Sequence, residues 1–329
     1  MPANLTPEYM KAEKWFREAT TTEEKILALE RMLSVIPKHK GTDHMRAELR
    51  RKLSKLKEVS VQRGGKGTHT DIFHIPRTGA GQIALIGTPS SGKSSVVAAI
   101  THAKVTIADF PFATTVPVPG MVRFEDVQFQ IIDMPPITEQ YCMPGQIDTY
   151  RHCDLIAIVI DLSADIAGQL KASIGFLESR NLIGEPPANL TGADKNLFSK
   201  KAFYLGTKND IAQPDAVQNL QTLSNHPFEI VTVSVKTNEG IANLPALLFK
   251  MLGLIRVYTK PPGKKPDLTE PFTLPAGSTV HDLAAAIHKE LSDKLKDARI
   301  WGTGVYDGQN VQKNHILNDK DVVELHFHG

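Results

Sequence analysis

Gly87-Thr88-Pro89-Ser90-Ser91-Gly92-Lys93-Ser94 fits the spacing G-x-x-x-x-G-K-[ST], and this octapeptide decides how the rest of the chain is read. An apolar run, Ile83 to Ile86, precedes it, and a helix-like run, Ser95 to Ile100, comes after it. A strand, a glycine loop and a helix in that order are what a phosphate-binding loop requires. Glycines let backbone N–H groups wrap a polyphosphate, and the helix start adds a favourable dipole. Lys93 would bring a point charge to the phosphates and Ser94 an oxygen to Mg²⁺. The expected phosphate-binding set is therefore Gly87, Thr88, Pro89, Ser90, Ser91, Gly92, Lys93, Ser94 and Ser95. The competing reading is a chance glycine turn, which would arise on the order of once in a hundred sequences of this size. The flanking strand and helix make it rarer still.

Composition sets the frame around this loop. The chain has 329 residues, 41% hydrophobic and 22% charged, enough for two or three domains with their own cores. No apolar stretch reaches the length of a membrane span, and the opening MPANLTPEYMKAEKW lacks a signal-peptide core, so a cytoplasmic location without membrane attachment is expected. Two cysteines, Cys142 and Cys153, are too few for a disulfide framework and lack zinc-site partners. The net charge of +2 hides a local excess: Arg46 to Lys66 carries eight Lys or Arg against Glu48 and Glu58.

Along the chain, residues 1–66 read as a helical segment. Thr6-Pro7 puts a capping hydroxyl before a proline at the first helical position, and Thr21-x-x-Glu24 is a capping box that opens Lys25 to Ile36. Leu29, Met32, Leu33 and Ile36 repeat at helical spacing, as do Met45, Leu49, Leu53 and Leu56, which predicts two antiparallel helices on one apolar seam. Arg46, Arg50, Arg51, Lys52, Lys55 and Lys57 surround that seam. A solvated charged face and phosphate contact with RNA are the two readings open here. Arg63 to Gly67 is a basic linker.

Residues 67–259 alternate strands and helices, with apolar runs at Ile83–Ile86, Met121–Phe124, Val127–Ile132, Leu155–Ile160, Phe203–Leu205 and Ile230–Val233. This predicts a parallel sheet covered on both faces, with ligands outside the carboxyl ends of its strands. Lys260 to Pro266 reads as an interdomain linker. Residues 267–329 predict a β-grasp-like α+β module: a strand at Phe272–Leu274, a helix from Ser278 or Thr279 to about Leu295, and a closing strand, Val322–Phe327.

Three further elements complete a nucleotide site. Asp133 ends an apolar run, where a carboxylate can hold Mg²⁺ through water while Ser94 binds it directly. Thr207-Lys208-Asn209-Asp210 comes after the strand at Phe203–Leu205 and matches [NT]-K-x-D. The Asp210 carboxylate can accept two N–H bonds from the edge of guanine, a pattern adenine does not offer. Ser234-Val235-Lys236 then matches the S-A-K type of loop whose backbone meets the guanine carbonyl. Thr207, Lys208, Asp210, Ser234, Val235 and Lys236 form the expected base-binding set, for GTP or GDP.

With these elements in order, the chain resembles the translation-factor-related GTPases, specifically the developmentally regulated GTP-binding (DRG) and Obg-like branch. Asp109-Phe110-Pro111-Phe112-Ala113-Thr114-Thr115-Val116-Pro117-Val118-Pro119-Gly120-Met121 resembles that branch's first switch. The resemblance implies that Thr115 reaches Mg²⁺ and the γ-phosphate, with Thr114 as the neighbouring alternative. Trp301-Gly302-Thr303-Gly304 and Asn314 to Glu324 resemble the TGS domain of the same family. The fold implied by this resemblance is an α/β P-loop GTPase with an N-terminal helical segment and a C-terminal TGS domain. Partners would be the ribosome or RNA, met through the basic helix and the TGS domain.

Three departures from the family, and one from Ras-like enzymes, stand out. The second switch of the family reads D-x-P-G, whereas this chain has Asp133-Met134-Pro135-Pro136, and Pro136 has no N–H to offer the γ-phosphate. Ile137 stands where Ras-like enzymes place a water-orienting glutamine, a position at which the Obg-like branch also carries an apolar residue. Ser90 stands where potassium-activated relatives have asparagine. The extra domain that eukaryotic and archaeal relatives carry has no counterpart between Asp161 and Tyr204. Three function classes are compatible with these residues: a slow Mg²⁺-dependent GTPase with Lys93 and Thr115 as its catalytic groups, a GTP-loaded scaffold that never hydrolyses, and a P-loop ATPase or kinase, against which Asp210 and Ser234 to Lys236 argue. Two weaker signals remain. His326-Phe327-His328 reads as terminal strand packing or a metal site, and Trp301 with Tyr306 as a core anchor or a stacking platform for RNA bases. Met143 to Gln146 is assigned no chemistry.

Overall fold

The computed structural model describes residues 7–19, 22–36, 42–62, 73–101, 116–137, 145–184 and 199–327. The chain divides into two compact units, residues 1–71 and 72–329. Thr6, Thr21, Cys142, His328 and the first-switch residues Thr114 and Thr115 lie outside the described residues.

The first unit holds α1 (Pro7–Glu18), α2 (Thr22–Val35) and α3 (Asp43–Gln62). Pro7 is the first residue of α1, as its fixed φ and missing N–H favour. Leu29, Met32 and Ile36 bury against Leu49, and Tyr9 and Ala12 of α1 join them, so three helices share the seam expected for two. Arg50, Arg51, Lys52 and Lys55 stay exposed on α3, and Lys52 pairs with Glu48 at 2.9 Å.

The second unit begins with a six-stranded sheet in the order β2-β3-β1-β4-β5-β6. Its strands are β1 (Gln82–Ile86), β2 (Val118–Phe124), β3 (Val127–Asp133), β4 (Leu155–Asp161), β5 (Lys201–Thr207) and β6 (Ile230–Thr232). All neighbours run parallel except β2, which forms a hairpin with β3. The expectation of a wholly parallel sheet is corrected at this edge: the two-residue turn Glu125-Asp126 is too short for a crossover and forces an antiparallel return, with Glu125 at φ 50°. The helices α4 (Lys93–Ile100), α5 (Gln146–His152), α6 (Ile166–Glu178), α7 (Ala216–Leu223) and α8 (Leu244–Leu252) connect these strands. The central strands β1 and β4 are buried along their whole length, so they read as continuous apolar runs rather than alternating ones. Because β3 and β4 flank β1, the chain reverses direction of progress at β1, and a crevice opens at its carboxyl end.

A second sheet has the order β10-β9-β11-β7-β8, with β7 (Leu254–Thr259), β8 (Phe272–Pro275), β9 (Leu295–Trp301), β10 (Gln309–Val311) and β11 (Asp321–Phe327). Here the expected boundary at residue 259 is corrected. α8 ends at Gly253 in the left-handed region, φ 66°, and β7 starts at the next residue, pairing with β11 and β8. Lys260 to Pro266 is therefore a loop within the C-terminal module and not an interdomain linker. The expected long helix is also interrupted. A reciprocal Thr279–Asp282 capping box opens α9 (Val280–Ile287), but His288 is extended, and its ring Nδ1 caps the short α10 (Lys289–Lys294). Leu295, the expected helix end, already begins β9.

Candidate nucleotide-binding site

The phosphate loop leaves the buried end of β1 and turns back at two left-handed residues, Ser90 at φ 60° and Gly92 at φ 90°. Gly87 is required by space as well: a Cβ there would meet the Val159 carbonyl oxygen at 2.7 Å and Ser91 Oγ at 2.8 Å. Lys93 opens α4 and is buried. Its ammonium donates to the carbonyl oxygens of Gly87 at 3.1 Å and Thr88 at 2.9 Å, and to Ser91 Oγ at 3.4 Å. Burial lowers its pKa to about 8, with the nearby Asp133 charge opposing that shift. The loop thus holds a cation folded onto its own carbonyls, at the mouth where phosphate oxygens could replace them.

Asp133 ends β3 opposite Leu85 of β1, two residues before the loop, and register alone carries its carboxylate to the head of α4. Ser94 Oγ donates to Asp133 Oδ2 at 2.6 Å. A hydroxyl and a buried carboxylate side by side at a helix N-terminus are hard oxygen donors of the kind Mg²⁺ takes, so these two residues fit that ion. The second switch then runs along the loop. Ile137 N–H donates to the Gly87 carbonyl at 3.2 Å, its side chain is buried, and the Pro135 carbonyl accepts from Gln146 Nε2 at 2.8 Å. Gln146, given no role from sequence, anchors this segment from α5.

The residues expected to meet the base come from three strand ends. Thr207 Oγ1 donates to the Ser91 carbonyl at 2.7 Å, tying the T-K-x-D loop to the phosphate loop. Lys208, left-handed at φ 56°, sends Nζ to the Ser90 carbonyl at 3.2 Å and to Asp161 Oδ2 at 2.5 Å. Asp210 sits in a single 3-10 turn, Asn209–Ile211, and its Oδ1 accepts from Ser234 Oγ at 2.7 Å. The buried Ser234 also closes its own loop, accepting from Thr237 N–H at 3.2 Å, while Asn209 Nδ2 donates to Glu239 at 3.0 Å. The structure therefore brings together Gly87 to Ser94, Asp133, Thr207, Lys208, Asp210 and Ser234 around one crevice, with Val235 and the exposed Lys236 on the last loop.

Comparison with known proteins gives the same picture from outside. The sequence model of the 50S ribosome-binding GTPase family matches residues 82–185, and that of the TGS domain matches residues 255–326. Developmentally-regulated G-protein 1 of Arabidopsis thaliana is 26% identical over 92% of this chain and 90% of its own length. Developmentally-regulated GTP-binding protein 1 of Xenopus laevis is 26% identical over 92% and 98%, and ribosome-interacting GTPase 1 of Saccharomyces cerevisiae 25% over 93% and 99%. The chain carries a GTPase domain and a TGS domain, and it is similar to the DRG proteins along most of its length. Guanine nucleotide is the ligand that a GTPase domain implies. Among solved structures, a GTP-binding protein of Sulfolobus solfataricus in complex with GDP is 15% identical over 74% of this chain and 70% of that one, at a TM-score of 0.40, a likeness that carries no argument.

Beside these relatives the chain is short. The Arabidopsis alignment runs over 370 positions but uses 92% of 329 residues, about 303, so about 67 aligned positions face gaps in this chain. Asp161, on the end of β4, was missed from sequence although it ends an apolar run just as Asp133 does. The weaker signals resolve differently. Both ring nitrogens of His326 face carboxylates, Asp297 at 2.7 Å and Glu324 at 2.9 Å, and Trp301 is half-buried under Lys260 Nζ at 4.5 Å. Among the described residues no group of three His, Cys, Asp or Glu is placed to hold a metal. No described helix is long and apolar enough to cross a membrane.

Proposed function

We propose that this chain is a Mg²⁺-dependent GTPase of slow intrinsic turnover that works on the ribosome or its RNA. The observation that carries the reading is the pairing of two ends in one crevice: Ser94 against Asp133 at one side, and Asp210 against Ser234 at the other. The first suits a cation-bound polyphosphate and the second a guanine edge. Backbone N–H groups of residues 87 to 94 would bind the phosphates, and Lys93 would exchange its carbonyl partners for phosphate oxygens. Ser94 and Asp133 would hold Mg²⁺, with Thr115 as the further ligand implied by family resemblance. Bound there, Mg²⁺ neutralises charge that builds on the phosphates. Lys93 adds a fixed positive charge in a site screened from water, where it is worth more than in solution.

Slow turnover is the consequence of position 137. An isoleucine that is buried and tied by its N–H to Gly87 presents no polar group to an attacking water. A second reading rests on Pro136, which cannot donate to a γ-phosphate: a GTP-loaded scaffold without hydrolysis. The ribosome as partner is supported by the name of the yeast relative and by the exposed basic face of α3.

The deciding experiment incubates the protein with GTP and Mg²⁺, with and without ribosomes, and identifies the retained nucleotide. GDP with released phosphate is the expected result. GTP alone under both conditions would replace the GTPase reading by the scaffold. Equal affinity for ATP and GTP would remove both.

A further inference from the structure

We propose that Asp161 is a positioning residue for nucleotide retention, acting through Lys208. The inference rests on the guanine-nucleotide reading of the site and adds to it a residue outside the recognised motifs. Lys208 has a long, rotamer-rich side chain whose backbone is in the base-reading loop, and its ammonium reaches the Ser90 carbonyl in the phosphate loop at 3.2 Å. Its stem therefore spans the two loops that must grip opposite ends of one ligand. A carbonyl alone is a weak anchor for an ammonium that is 39% exposed, and Asp161 supplies the second, charged one at 2.5 Å.

Asp161 is built for that task. Strand register places it opposite Thr207, one residue before Lys208. Its backbone is clamped on both sides by one buried side chain, with Gln169 Oε1 accepting its N–H at 2.8 Å and Gln169 Nε2 donating to its carbonyl at 2.9 Å. Oδ1 is occupied by Ser163, through N–H at 2.9 Å and Oγ at 2.6 Å, which turns Oδ2 toward the lysine. The carboxylate is 9% exposed, so it is held, while the lysine it holds faces the crevice.

The test reads the dissociation rate of GDP and of GTP, measured by displacement of a fluorescent guanine nucleotide from the full chain. Asp161→Asn keeps the shape and an acceptor for Ser163 but removes the charge, and should speed release of both nucleotides about tenfold. Lys208→Met should do the same, and adding Asp161→Asn to Lys208→Met should change the rate less than twofold, because the carboxylate then has nothing to position. Ser163→Ala, which loosens Asp161 while leaving its charge, should speed release about threefold, and it serves where Asp161→Asn fails to fold. A wild-type rate in Asp161→Asn, or in Ser163→Ala where that variant stands in, would overturn the proposal, as would an equal acceleration in the Lys208→Met background. If the unaltered protein binds no guanine nucleotide, the functional reading fails first, and the two failures are told apart.

Discussion

Arg256 of β7 donates to Asp126, in the turn between β2 and β3, at 3.1 Å across 130 residues of sequence. The same guanidinium reaches Glu125 at 2.5 Å and Asp319 at 2.6 Å, and lies near the rings of Phe124 and Phe249 at 5.4 and 5.3 Å. One buried cation thus joins the C-terminal sheet to the hairpin whose other end carries Asp133. An arginine suits the place because its fork serves several carboxylates at once.

Arg256→Ala should cost roughly 2 kcal/mol in denaturant unfolding, since it removes a buried guanidinium from carboxylates that are themselves partly exposed. The loss should depend on pH. Glu125 is held below the usual carboxylate range by Lys320 and Arg256. Burial pushes Asp126 and Asp319 up, but hydrogen bonds from Tyr258 and Arg256 on the former, and from Arg256 on the latter, more than offset it. Carboxylates with lowered values contribute stability above about pH 4 that disappears as pH falls through those values. The gap between wild type and Arg256→Ala should therefore begin to narrow as pH falls below about 4 and close only once pH is below the lowered values. A gap that persists at low pH would mean that packing, not charge, carries the effect.

Lys93 yields a second pH dependence, of opposite sense. With its pKa near 8 in the free protein, the side chain is partly neutral at pH 8 to 9, whereas bound phosphates require the ammonium. Binding must then take up protons, and affinity for GTP should fall up to about tenfold per pH unit above that value. Calorimetry at pH 8.5 in two buffers of different ionisation enthalpy should report that uptake. Identical heats in both buffers would place the lysine's free value well above 9.

How much of this was legible in the sequence differs by element. The phosphate loop was readable because it is local: glycine freedom, a lysine and a helix start lie within eight residues. β7 was not, since Leu254-Ile255-Arg256-Val257-Tyr258 comes after α8 with one glycine between and carries a charged residue at a buried position. Only partners 63 to 131 residues away in sequence, Asp319 at the near end and Glu125 at the far end, make that burial tolerable. Asp161 escaped for the same reason, because nothing near it announces Lys208. His288 split a helix whose apolar spacing runs on past it, since a side-chain cap outweighs periodicity there.

Base choice should rest on one carboxylate. Asp210→Asn replaces an acceptor by a donor at the guanine edge, and affinity for GTP should fall about a hundredfold or more while the fold is retained. Xanthosine triphosphate carries a carbonyl where guanine has its amino group, so it should bind the variant better than GTP does. Competition of both nucleotides against a labelled analogue measures this. Unchanged preference in the variant would mean that Asp210 serves Ser234 and the loop rather than the base.

The second switch offers the sharpest contrast between enzyme and scaffold. Pro136 lies between Pro135, whose carbonyl is held by Gln146, and Ile137, whose N–H is held by the Gly87 carbonyl. One flank is fixed to α5 and the other to the phosphate loop, so a glycine at 136 would add an N–H without freeing the segment at large. Pro136→Gly should raise affinity for GTP several-fold, by about one charged hydrogen bond, and leave GDP nearly unchanged, because only GTP has the third phosphate for that donor to meet. The measurement is the ratio of the two dissociation constants in wild type and variant. A parallel gain for both nucleotides would place the new N–H elsewhere than at the γ-phosphate. If the ratio rises while phosphate release stays absent, the limit on turnover lies at Ile137, and Ile137→Gln in the same background should then release phosphate.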